Sequence, residues 1–138
     1  MKLSLIIATI RDSFGGIESY EKDHLFKRTW SSLKECYDEW PHFEVVIADS
    51  RKNRSLANEL AMLGPVGFDF KVVPVDNYWL RNRFWNCNNA FNTGAIYASG
   101  DVFLFLPDCT IHPLGAFPLI EHYASQNLYP NLVYALLK

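Results

Sequence analysis

Four stretches place an acid or a hydroxyl directly after an apolar run. Thr9, followed by Arg11 and Asp12, ends "LSLIIAT"; Asp49 and Ser50 end "FEVVIADS"; Asp76 ends "FKVVPVD"; Asp108 follows "DVFLFLP". Apolar runs of this kind, bounded by turn residues, are the pattern of strands buried in a parallel sheet. Ligands of open parallel sheets sit outside the carboxyl ends of the strands. Acids gathered at several such ends therefore line a polar crevice, able to accept N–H groups or to hold a hard cation. Each acid also has an ordinary alternative, capping the helix that follows. Capping accounts for Asp12 or Asp76 singly as well as ligand binding does; it accounts less well for Asp49 and Asp108 together.

A second group lies between residues 81 and 92. The segment "NCNNAFN" contains four asparagines in seven residues, although asparagine is a poor helix former. Asn88 and Asn92 are four apart and share one helix face, which makes a hydrogen-bonding surface. Just upstream, Arg81 and Arg83 offer planar donors suited to a diphosphate, or else are solvated loop arginines.

The elements that must position these groups follow from periodicity. Strands are expected at 3–9, 43–49, 70–76 and 101–106. The last is read as a buried, central strand, and Pro74 places the third at an edge or a bent end. Phe26, Trp30, Leu33, Tyr37 and Trp40 recur at steps of three and four, giving a long helix with one apolar face that Pro41 stops. Shorter helices are expected at 55–63 and 87–99, the latter lying close to the sheet through Gly94, Ala95 and Ala98. The segment "PLGAFPLIEHYASQ" reads as a helix interrupted at Pro118, and "NLVYALL" (131–137) as a fifth strand. Repeated strand–helix order predicts an α/β fold, a mostly parallel sheet flanked by helices, in a single domain over residues 1–138.

Composition bounds the functional classes. Hydrophobic residues make up 49% of the 138 and aromatics 15%, enough for a packed core. A net charge of −2, with both signs mixed, gives no broad basic field for nucleic acid. Cys36, Cys87 and Cys109 form no C-x-x-C pair, so neither a disulfide framework nor a zinc site is expected. No stretch approaches the ~20 apolar residues of a membrane span, and a cytoplasmic protein is expected. The turn after the first strand, "TIRDSFGG", lacks G-x-G-x-x-G, which argues against a dinucleotide-binding Rossmann domain.

"LSLIIATIRD", "FEVVIADS" and "NNAFNTGAIYASGDVFLFLPDC" together resemble the nucleotide-binding half of a family 2 glycosyltransferase of the GT-A fold. Ala90, Asn92, Gly94, Ala98, Gly100 and Asp101 match that family's pattern in order and spacing, with Phe91 in place of its arginine. The resemblance implies transfer of a sugar from a nucleotide-diphosphate donor, most often a UDP-sugar, to a hydroxyl acceptor. It implies that Thr9, Arg11, Asp49, Ser50, Arg83 and Asn92 border the nucleotide, with Asp49 accepting the uracil N–H. Asp108 falls at the position of a metal-holding carboxylate, for Mn2+ or Mg2+ against the diphosphate.

Two departures stand beside the resemblance. Pro107 and Cys109 flank Asp108 where the family places acids, leaving one carboxylate. Cys109 and His112 are the other side chains nearby in sequence that could ligate a metal. A thiol suits a softer metal, and the ordinary roles are a small buried hydrophobe for Cys109 and a surface histidine for His112. The chain also ends before the acceptor-binding half, so no residue is assigned as general base, and a partner chain supplying that half is one expectation. A non-catalytic GT-A-like module that binds a nucleotide or a protein is the alternative.

Overall fold

The computed structural model describes residues 1–9, 19–50, 56–75 and 87–126. The expectations placed on Arg11, Asp12, Asp76, Arg81, Arg83 and the 131–137 strand lie outside them. The described elements are β1 (Leu3–Thr9), α1 (Ser19–Glu39), β2 (Phe43–Asp49), α2 (Leu56–Met62), β3 (Phe70–Pro74), α3 (Cys87–Tyr97), β4 (Val102–Pro107) and α4 (Ala116–Ser125). The strands form one parallel sheet in the order β3-β2-β1-β4, the α/β architecture expected.

Every residue of β1 and β2 is buried, because both faces of the sheet are covered. On one face Leu3, Leu5 and Ile7 pack with Phe26, Trp30, Leu33 and Cys36 of α1, Leu60 of α2 and Phe117 and Ile120 of α4. On the other face α3 lies over β1 and β2 through Ala90, against Ala8, Val46 and Ala48. A Cβ at Gly94 would come within 2.5 Å of Ile6 Cγ2, so the absence of a side chain there sets the helix–sheet distance.

A buried carboxylate fastens the amino edge of the sheet. Glu44, 2% exposed, accepts from Ser4 Oγ at 2.7 Å, Ser99 Oγ at 2.8 Å, Lys2 Nζ at 3.2 Å and the Ser99 backbone N–H. Burial alone would raise its pKa. The Ser99 N–H, the two hydroxyls and Lys2 outweigh that and hold it down at about 2. The turn from α3 into β4 is clasped by the same group: Gly100 N donates to Ser4 Oγ at 2.8 Å and Lys2 N to Asp101 Oδ2 at 2.8 Å. A Cβ on Gly100 would fall 2.7 Å from the Lys2 carbonyl oxygen, which is backbone and cannot swing aside. Gly100 and Asp101 therefore serve the frame at the amino edge, away from the strand exits.

Two local expectations change. Pro118 does not interrupt α4; it sits in the first turn, where a missing N–H costs no helical bond. β4 is an edge strand among the described residues rather than a central one. Leu104 and Leu106 face the core while Phe103 and Phe105 are 41% and 51% exposed.

Glu44→Gln is expected to destabilise the fold by about 2–3 kcal/mol, the cost of weakening charged hydrogen bonds in a buried site. Because its folded pKa is depressed, the contribution of Glu44 is complete above its ordinary value of 4.5 and fades as pH falls toward about 2. Urea unfolding across that window should show the native chain losing stability more steeply than the Gln variant. Gly100→Ala should cost about 1–3 kcal/mol through overpacking, read from the same titration at neutral pH.

Candidate functional site

Strand order reverses at β1: β2 and β3 lie on one side and β4 on the other. At such a point successive loops leave the sheet in opposite directions, and a crevice opens between them. Thr9 ends β1 there, and Asp108 follows β4. Thr9 Oγ1 donates to Asp108 Oδ2 at 2.6 Å, joining residues 99 apart in sequence. Thr9 is fully buried; Asp108 is half-buried.

On the other flank, Asp49 stands opposite Thr9 in the β1–β2 register and is 6% exposed. Ser50 N donates to the Thr9 carbonyl at 2.9 Å and Val75 N to the Asp49 carbonyl at 3.0 Å, so pairing continues past the last strand residues. Asp49, Thr9 and Asp108 thus stand at the carboxyl ends of three neighbouring strands. The backbones of the two acids lie two strand spacings apart, about 10 Å.

α3 contributes its first turn to this edge. Its last residues are fastened at the amino edge through Ser99 and Glu44, and the helix runs 11 residues back from there, about 16 Å. Asn88 and Asn92 are both exposed on it, as their spacing requires.

The segment after Asp108 is held against α1 by groups hidden within its apolar stripe. Thr29 Oγ1 donates to the Asp108 carbonyl at 3.1 Å. Ser32 Oγ accepts from His112 N at 3.1 Å, and Cys36 Sγ lies 3.6 Å from the His112 carbonyl. Thr29, Ser32 and Cys36 were not singled out from sequence. Their spacing of three and four, on the face that carries Phe26, Trp30 and Leu33, was the available signal.

Two readings near Asp108 are corrected. His112 is not a surface histidine: it is 3% exposed, and its ring packs 5.5 Å from that of Phe117. Burial pushes its pKa down to about 4, and among the described residues neither ring nitrogen has a hydrogen-bond partner. Cys109 is not a buried hydrophobe but exposed, because the chain leaves the sheet one residue earlier. Among the described residues no three His, Cys, Asp or Glu side chains come together as a metal-holding group.

Thr9→Val keeps the shape of the side chain and removes the donor to Asp108. It should cost about 1–3 kcal/mol in thermal or urea unfolding. Cys109→Ser, at an exposed position, should stay within about 0.5 kcal/mol of the native chain in the same measurement.

No protein-family profile and no curated protein matches this sequence. Among solved structures the chain is similar to S. aureus TarS. It superposes on the 1–349 form with a TM-score of 0.66 at 16% identity, over 91% of this chain and 33% of that one. A second S. aureus TarS structure gives a TM-score of 0.65 at 16% identity, over 91% of this chain and 20% of the other. The chain thus spans a third or less of the length of these structures, and at this identity the likeness is one of fold. Among the described residues, no helix is long and apolar enough to cross a membrane.

Proposed function

We propose that the chain is a glycosyltransferase, or the donor-binding portion of one, that transfers a sugar from a UDP-sugar to a hydroxyl acceptor. The observation that carries this reading is the line Asp49–Thr9–Asp108 across the point where strand order reverses. It stands in a sheet that shares its fold with TarS, itself a glycosyltransferase.

In this reading Asp49 accepts the imide N–H of uracil. A buried carboxylate discriminates well here, because a base lacking that donor would leave it without the bond. Thr9 and Arg11 border the base and ribose, Ser50 adjoins Asp49 on the nucleotide, and Asn92 and Arg83 border the ribose and phosphates. Asp108 takes the diphosphate end. One carboxylate fits a Mg2+ or Mn2+ site of the kind completed by substrate phosphates and water, and Asp108 is the residue that would hold it. When bound, the ion would neutralise the departing diphosphate. Thr9 holds the Asp108 carboxyl in place through its hydroxyl, and Thr29 fixes the adjoining backbone. The transfer breaks the bond from the anomeric carbon to the phosphate oxygen, whose electron pair leaves with the diphosphate. The acceptor oxygen bonds to that carbon and gives up its proton to a base, which a partner chain or a further segment would supply.

A second reading, a non-catalytic nucleotide- or protein-binding module of the same fold, is favoured by one observation. Pro107 and the exposed Cys109 leave Asp108 as the lone acid of its turn.

Calorimetry with UDP should give saturable binding that tightens when Mn2+ is added. Asp108→Ala should remove the Mn2+ effect and weaken binding about tenfold, ~1.4 kcal/mol. Asp49→Ala should weaken UDP by a similar factor while leaving CDP unchanged, since cytosine presents no imide donor. UDP binding that is unaffected by both substitutions would refute the assignment. No binding by a folded chain would leave the protein-binding module.

A further inference from the structure

A groove of about 290 Å3 runs between α1 and the segment that follows β4, lined by His24, Lys27, Arg28, Ser31, Ser32, Glu35 and Ile111. Its α1 wall is a single helical stripe at steps of three and four, so His24, Lys27 and Arg28 form one contiguous cluster with Ser31 a turn beyond. Among the described residues neither Lys27 nor Arg28 has an ion-pair partner. Both are exposed, as are His24 and Ser31. The opposite wall is Ile111, 53% exposed. It is held by the bonds from Thr29 to the Asp108 carbonyl and from His112 N to Ser32. The groove is therefore formed before any ligand arrives.

The geometry points to a binding site for an organic phosphate in this groove, separate from the strand-end residues Thr9, Asp49 and Asp108. Lys27 and Arg28 supply a point charge and a planar fork of donors, the pairing that phosphate oxygens take, and Ser31 adds a hydroxyl. Glu35 lies seven residues beyond Arg28, about 10 Å along the axis, and repels an anion there. The phosphoryl group is thereby confined to the His24–Lys27–Arg28 end. Ile111 faces the ligand's carbon skeleton, which favours a phosphate ester over the free ion. The inference does not depend on the donor assignment, because the groove shares no side chain with Asp49, Thr9 or Asp108.

The test titrates the 15N-labelled chain with inorganic phosphate in one arm and with phenyl phosphate, a monoester with an apolar carbon skeleton, in the other. Saturable shifts confined to residues 24–35 and 109–112 are expected, with the ester binding more tightly. Lys27→Gln with Arg28→Gln should weaken that binding at least tenfold. Lys34→Gln, exposed on the same helix but outside the groove, should change it less than twofold. The exposed positions make loss of fold unexpected, and an unchanged melting temperature checks it. Tighter binding of inorganic phosphate would assign the groove to the free ion and overturn the ester. Three results would overturn the site itself: no saturation with either probe, equal losses from Lys34→Gln, or shifts at the strand ends instead.

Discussion

β1 is hydrogen-bonded on both sides and covered on both faces, and the other described elements take their places from it. Its partner on one side is β2 and on the other β4, so the order reversal of the sheet happens at this strand. Each of its ends is fastened to β4 by side chains. At the amino edge Lys2 and Ser4 meet Asp101, Gly100 and, through Glu44, Ser99. At the carboxyl edge Thr9 meets Asp108. The first clasp sets how β4 enters the sheet, and the second sets where it leaves. A carboxylate positioned this way is anchored to the sheet through the strand beside it, so its place does not depend on a loop alone.

The two edges use similar groups for different ends. Glu44 is enclosed and accepts from four donors on Lys2, Ser4 and Ser99, so its charge is committed to structure; a buried acid with fewer donors would prefer to be neutral. Asp108 is only half-buried, so its carboxyl keeps contact with solvent. The aromatic cluster of Trp30, Phe43, Phe68 and Phe117 on the α1 face supplies the apolar mass against which both clasps close. Small residues do the opposite work on the α3 face, where Ala90 and Gly94 let helix and sheet backbones approach.

The architecture was legible in the sequence wherever a pattern was carried by consecutive residues. "LSLIIAT" and "FEVVIAD" have no polar alternation, which only burial on both faces explains, and that places Thr9 and Asp49 at strand exits from sequence alone. "DVFLFLP" looked the same, yet half of β4 is exposed, because an apolar run cannot report that the next strand position is empty. Residue type alone makes Pro118 a helix breaker, whereas its effect depends on being two positions into a helix rather than ten. The burial of His112 and the exposure of Cys109 escape the sequence for a related reason. Their burial is decided by how the segment after β4 lies on α1, and that rests on Thr29, Ser32 and Cys36, 70 or more residues away in sequence. Glu44 gave no signal at all, since a lone acid in a buried strand is explained only by the donors that surround it.

In the functional account, Asp49 and Asp108 address two ends of one nucleotide laid across β1, with the frame residues holding the distance between them. The most direct measurement follows the backbone amides of the 15N-labelled chain as UDP is added. The account predicts saturable shifts centred on Ser50 and on the residues adjoining Thr9 and Asp108, with Ser99 and Gly100 unmoved. Shifts concentrated at the amino edge around Glu44, or none in a well-dispersed spectrum, would contradict it.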